Sequence, residues 1–135
     1  MNIALGLLKR GNYYFLQLRN GSNQAGGLGY MGCFGGQLEP GESPLLAACR
    51  ELAEETSFAP TVEQGKKIGE VQVISERHGK EITVHASIFE FDIDHNEVID
   101  AKEGELVAMT IQDIHNSLER LTPATRACFT KLIKE

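Results

Sequence analysis

The stretch that most constrains this chain is Gly35 to Phe58, GGQLEPGESPLLAACRELAEETSF, which runs from a glycine turn into a helix start and then into a cluster of acid. Ser43 and Pro44 read as N-cap and first helical residue. A serine hydroxyl takes up a free N–H of the first turn, and proline's fixed φ and missing N–H suit the next position. From there Leu45, Ala48, Cys49, Leu52 and Thr56 fall at helical spacing and form one stripe. Glu51, Glu54 and Glu55 fall at i, i+3 and i+4 and form another. One face is suited to docking on a sheet; the other presents three neighbouring carboxylates.

Same-sign pairs at this spacing each destabilise a helix by a few tenths of a kcal/mol. Two readings account for them. A hard divalent cation such as Mg²⁺ takes carboxylate and carbonyl oxygens together with water and would offset the repulsion. A solvated acidic face is the commoner meaning of a glutamate-rich helix. The surroundings favour the cation. Arg50 lies four residues before Glu54, within reach of a carboxylate, and Gly35, Gly36 and Gly41 let backbone approach closely. Glu42 sits just before the helix starts.

These residues resemble the Nudix box, G-x5-E-x7-R-E-U-x-E-E-x-G-U, where U is bulky and apolar. Gly36, Glu42, Arg50, Glu51, Leu52, Glu54, Glu55 and Phe58 each stand where the pattern asks. Ser57 replaces the last glycine, at a place where a left-handed residue often ends a helix, which serine adopts only at modest cost. A pattern of this length at fixed spacing is far more specific than a lone glycine motif.

The resemblance implies an α/β protein with the Nudix fold, an α/β/α sandwich around a mixed β-sheet. It also implies metal-dependent hydrolysis of a nucleoside diphosphate linked to another group. Glu51, Glu54 and Glu55 would hold Mg²⁺, with Mn²⁺ as a substitute, and the Gly35 carbonyl would be a further ligand. Arg50 would orient a glutamate, and Glu42 would stabilise the loop and helix start or help at the metal. A further acid comes from the loop AKEGELVAMT, through Glu103 or Glu105, with Glu105 preferred as general base; a solvated loop acid is the other reading. Arg19 would lie near the phosphates or simply end a strand in solvent. Tyr30 or Phe34 would stack a base, or Phe34 would pack in the core. Many relatives form homodimers.

The rest of the chain reads as one domain, residues 1–135. Ile3, Leu5 and Leu7 alternate on one side of a first strand, and Tyr13 to Leu18 form a second after a turn at Arg10 to Asn12. Gly21 to Gly29 is a glycine-rich loop beside the site, and Met31 to Phe34 a short strand leading into the glycine turn. Ile68 to Ile74 and Ile82 to Ile93 make a hairpin through the charged turn Glu76 to Glu81. His85 and Phe89 are packing or wall residues; His78 and His95 are exposed. An acidic loop, Asp92 to Glu105, leads to the apolar run Leu106 to Ile111. Helices follow at Gln112 to Arg120 and Pro123 to Lys134, the second capped by Thr122.

A formal charge of −6 argues against nucleic-acid binding through a broad basic surface, yet admits a nucleotide substrate, because bound metal reverses the local sign. Cys33, Cys49 and Cys128 lack CxxC spacing and read as reduced thiols, the latter two as core. The first residues carry no basic group ahead of their short apolar run. Neither a signal peptide nor a membrane anchor is expected, and a cytoplasmic setting is. Markers that some relatives carry for ADP-ribose, dinucleoside polyphosphates or NADH do not appear. By elimination the chain is most similar to those that cleave nucleoside or oxidised nucleoside triphosphates, (d)NTPs, to monophosphate and pyrophosphate, as MutT-like proteins do. ADP-ribose or a nucleotide sugar is the alternative substrate, and a nucleotide sensor without turnover the alternative from another class.

Overall fold

The computed structural model describes residues 1–19 and 29–134. The greater part of the glycine-rich loop expected at Gly21 to Gly29 lies outside the described residues.

Alternation at the N-terminus produces the central strand, β1 (Asn2–Arg10), with apolar side chains on both faces. Leu5 and Leu7 enter one core; Ala4 and Leu8 enter the other. Such a strand must be covered on both sides. β1 pairs antiparallel with β2 (Tyr13–Leu18) and β4 (Phe34–Gln37) and parallel with β6 (Lys80–Asp92), so the sheet is mixed. β3 (Met31–Gly32) and β7 (Glu105–Thr110) both pair with β2. β5 (Gly65–Arg77) pairs with β6 as the expected hairpin; β5 outruns its apolar run at both ends, while β6 starts two residues earlier than expected and ends at Asp92.

The two cores define the layers. α1 (Pro44–Glu55) lays Ala47, Ala48, Cys49 and Leu52 on one face of the sheet, against Phe34, Phe89 and Phe91. On the opposite face, α2 (Ile111–His115) and α3 (Pro123–Ala127) bring Ile114, Ala124 and Ala127 against Leu7, Leu16 and Ile88. The chain is an α/β/α sandwich. All three cysteines are free and buried, and Phe89 is core. No helix among the described residues is long and apolar enough to cross a membrane.

Several local expectations require correction. The Gly35–Gly36 pair is no turn: both residues lie inside β4 and pair with Leu5 and Ala4, while the chain turns at Pro40 and Gly41. Met31 to Phe34 is accordingly two short strands rather than one. α1 ends at Thr56 in an extended conformation (φ −136°), and no left-handed residue is needed at Ser57. The helix expected at Gln112 to Arg120 is only α2, followed by a separate 3-10 turn at Leu118–Arg120. Ser117 and Asn116 favour turns over helix interiors, which explains the break. α3 continues as a π turn at Cys128–Leu132.

Candidate active site

Three segments converge on the acidic face of α1. β4 runs beneath it, and its two glycines are required by contact. A Cβ on Gly36 would stand 2.7 Å from Glu51 Oε1, and one on Gly35, where φ is +150°, would stand 2.1 Å from the Ala4 carbonyl oxygen. Only a strand without side chains there can lie so close to the carboxylates. The Gly35 N–H donates to Glu55 Oε1 at 3.1 Å.

Arg50 is the hub of the second segment. Its Nε and Nη2 donate to Glu42 Oε2 and Oε1 at 2.8 and 2.9 Å, and Nη1 donates to Glu51 Oε1 at 3.0 Å and Glu54 Oε1 at 2.8 Å. Nη2 also reaches the Gln37 carbonyl at 3.2 Å. This guanidinium holds the Glu42 carboxyl down at about 2, helped by the Glu39 N–H. Its own proton is held more tightly in return.

Glu55 behaves in the opposite way. Burial pushes its carboxyl up to about 8, reinforced by its hydrogen bond to Glu51, by the Glu51 charge and, more weakly, by the charge of Glu103; the Gly35 N–H opposes the shift. Two carboxyl groups thus share a part-buried space in which one retains its proton.

The third segment is the loop that returns across the end of α1. Thr56 and Ala101 form an antiparallel bridge, the Lys102 N–H donates to the Glu55 carbonyl at 2.8 Å, and Lys102 Nζ donates to the Ala53 carbonyl at 3.0 Å. Carbonyls at the end of a helix lack partners within it, and the loop supplies them.

Among the described residues no group of three His, Cys, Asp or Glu side chains is already gathered as a metal cage, because Glu51 and Glu54 turn to Arg50. The donor set nevertheless fits a hard cation. It offers oxygen alone, and its part-buried Glu55 carboxyl is held protonated first by burial and then by Glu51 beside it, a state that a divalent cation would relieve.

Beside these groups lies a cleft of about 390 Å³ on the α3 side of the sheet. Gly35, Gly36 and Gln37, which lie against Glu55, Glu51 and Arg50, line it towards the acidic helix; Arg19, Val73, Val84, Cys33 and Thr125 line other parts. Gly36 therefore touches both cleft and Glu51. Arg19 follows β2 and is fixed through its backbone, with its N–H on the Tyr30 carbonyl at 2.8 Å and its carbonyl accepting from Gly29 at 3.0 Å.

The remaining sequence candidates fall elsewhere. Phe34 is fully buried under α1, so core packing claims it and leaves no face for a base. Tyr30 is 38% exposed but stands outside the cleft lining. Glu105 is an exposed residue that opens β7 opposite Leu18. Glu103 precedes it with its carbonyl held by Gln17 Nε2 at 2.9 Å. His78 is exposed, as expected, but also lines the cleft, as do Thr122 and Thr125. No local motif marks that wall, because it comes from the β5–β6 hairpin and α3, far apart in the chain.

A mixed sheet between helical layers carries an Arg-gripped acidic helix on one face and a cleft on the other, and the oxygen donors of that helix suit a hard cation. The NUDIX domain model matches residues 4–132, and the chain belongs to that family, whose members are in general pyrophosphohydrolases that use divalent metals. Among functionally curated proteins none matches in sequence. Solved structures share the fold. The MutT NUDIX hydrolase of Burkholderia pseudomallei is 21% identical, with a TM-score of 0.75 over 97% of this chain and 96% of that one. The E. coli ORF135 protein is 24% identical, with a TM-score of 0.71 over 96% and 85%. A bifunctional NMN adenylyltransferase/ADP ribose pyrophosphatase of Francisella tularensis, solved with AMP and Mn, is 21% identical, with a TM-score of 0.74; it aligns over 98% of this chain but only 40% of its own length.

Proposed function

We propose that this protein hydrolyses (d)NTPs, ordinary or oxidised, to monophosphate and pyrophosphate with Mg²⁺ or Mn²⁺. The observation that carries the reading is Gly36, a strand residue that walls the cleft on one side and lies against Glu51 on the other. A phosphate chain leaving the cleft would reach the carboxylates by passing the bare backbone of Gly35 and Gly36, because the cleft and α1 lie on opposite faces of the sheet. Similarity to the Burkholderia MutT NUDIX hydrolase supports a MutT-like activity.

Glu51, Glu54 and Glu55, with the Gly35 carbonyl, would hold the cations, and Arg50 and Glu42 keep that face of α1 in place. Bound divalent cations offset phosphate charge and make water more acidic. The reaction adds the oxygen of water to one phosphorus; the bridging P–O bond breaks, its electron pair remaining on the departing phosphate oxygen. A carboxylate must take the water's proton. We assign that role to Glu103 rather than Glu105, because its neighbour Lys102 is bonded through its N–H to the Glu55 carbonyl, whereas Glu105 lies beyond that contact in β7, opposite Leu18. Arg19, in the cleft lining, would bind phosphate oxygens.

A panel assay tests the reading: purified protein with Mg²⁺ or Mn²⁺ and separate dNTPs, oxidised dGTP, ADP-ribose, nucleotide sugars and dinucleoside polyphosphates, with products resolved. Pyrophosphate and monophosphate from a triphosphate are expected. Cleavage of ADP-ribose or a nucleotide sugar alone would transfer the substrate to that alternative. Nucleotide binding without turnover under either metal would overturn hydrolysis and indicate a sensor.

A further inference from the structure

Ser57 breaks the family pattern, and the structure gives its hydroxyl a specific task. The Ser57 N–H donates to the Asp100 carbonyl at 2.9 Å, as any residue's would. Its Oγ accepts the Asp100 N–H, also at 2.9 Å, and lies 3.4 Å from the Val98 carbonyl. A glycine could make the first contact only. The serine closes a two-way clasp between the end of α1 and the loop that arrives from β6.

That clasp fixes a register. Three residues after Asp100 comes Glu103, whose carbonyl is held by Gln17 Nε2. Gly104 follows with φ +68°, where a Cβ would stand 2.4 Å from the Leu18 carbonyl oxygen. The segment from Asp100 to Gly104 is therefore pinned at both ends, by Ser57 on the helix side and by β2 on the sheet side. Between the pins, the Lys102 N–H on the Glu55 carbonyl holds the loop along the same helix end. The backbone of Glu103 is thereby held beside the helix end that carries Glu55, with its side chain exposed.

We propose that Ser57 is a positioning residue for the hydrolysis: its hydroxyl sets the loop that carries Glu103 to the acidic site, in place of the glycine usual there. The inference rests on the assignment of Glu103 as proton acceptor. Ser57 touches no reacting atom; it acts through Asp100 and the backbone.

The test combines kinetics with amide exchange. Ser57→Ala, Ser57→Gly and Ser57→Thr are each made alone and together with Glu103→Gln, using the panel nucleotide cleaved fastest with Mg²⁺. Ser57→Ala and Ser57→Gly are expected to lower kcat about tenfold with KM changed less than about twofold, as for a group acting only in the transition state. Ser57→Thr, which keeps the hydroxyl, restores kcat to within about threefold of the parent. On the Glu103→Gln background, Ser57→Ala has no further effect, the coupling expected when two residues act as a unit. Hydrogen exchange on the metal-free protein should show the Asp100 amide opening about tenfold faster in Ser57→Ala, since a local bond protects only against local opening.

An equal loss from Ser57→Ala on both backgrounds would overturn the proposal while leaving Glu103 as acceptor. Full turnover in Glu103→Gln would overturn the acceptor assignment and the proposal with it. An unchanged Asp100 exchange rate would sink the clasp independently of any activity.

Discussion

Arg50 grips Glu42 through two sides of its guanidinium fork, Nε to Oε2 at 2.8 Å and Nη2 to Oε1 at 2.9 Å. The contact spans from the loop before α1 to the second turn of that helix, and Nη1 is left to hold Glu51 and Glu54. Planar, bidentate geometry of this kind is available to arginine and not to lysine.

Arg50→Lys should therefore weaken the site more than its conserved charge suggests. A single ammonium cannot satisfy Glu42, Glu51 and Glu54 at once, so the loss of stability is expected to be about 1–2 kcal/mol. Urea unfolding measures it, and Mn²⁺ titration by calorimetry should show weaker binding as the glutamates lose their common anchor. Parent-like stability and Mn²⁺ affinity would mean that Arg50 only decorates the surface.

Glu55 determines how the metal-free protein responds to pH. Its folded value of about 8 lies above the ordinary 4.5, so the folded state binds the proton more tightly than the unfolded chain. Its contribution is greatest below the unfolded value and declines as pH rises from about 4.5 to 8. After allowance for solvent screening and the link to Glu51, the decline is on the order of 2 kcal/mol. Glu42, held down at about 2, acts at the other end: its contribution is present above 4.5 and lost as acid is added. Thermal melts without metal should peak near pH 5. Glu55→Gln should flatten the alkaline limb and abolish turnover, and added Mg²⁺ should raise the melting temperature of the parent at pH 8. An alkaline limb unchanged by Glu55→Gln would show that another group causes it.

The two acids of the late loop separate cleanly by mutation. Glu103→Gln is expected to lower kcat about a hundredfold or more, the usual scale for removing a general base. Glu105→Gln, two residues further along at the start of β7, should leave kcat within about threefold, as expected of a carboxylate that takes no proton in the reaction. The reverse ranking would move the acceptor role to Glu105.

How far the chain could be read without coordinates depends on whether a feature is local. Ser43, Pro44 and the two stripes of α1 are local, and the helix forms where they place it, with Ser43 Oγ accepting the Leu46 N–H at 3.3 Å. The glutamate cluster and its arginine were legible for the same reason. Gly35 and Gly36 misled because glycine signals a turn in isolation, whereas here it permits a strand to pass against Ala4 and Glu51. Phe34 looked available to a base because burial under α1 depends on packing across the sheet. Where the backbones of Glu103 and Glu105 lie depends on the β2–β7 register and on the left-handed Gly104, neither of which is marked by spacing.

Gly36 offers the sharpest test of the site as a whole. Its backbone needs no left-handed conformation, so alanine is tolerated locally, and a strand slightly favours it over glycine. The new methyl would nevertheless stand 2.7 Å from Glu51 Oε1 and 2.9 Å from its carboxyl carbon, forcing that carboxylate to swing away. Gly36→Ala should lower kcat about a hundredfold, some 3 kcal/mol of lost transition-state stabilisation, while the melting temperature changes little. Gly41→Ala is the matched contrast: its φ is +77° and its surroundings are open, so backbone strain destabilises the fold by about 1 kcal/mol with no effect on turnover. Full activity in Gly36→Ala, measured beside Gly41→Ala, would mean that the reaction does not take place where the cleft meets Glu51.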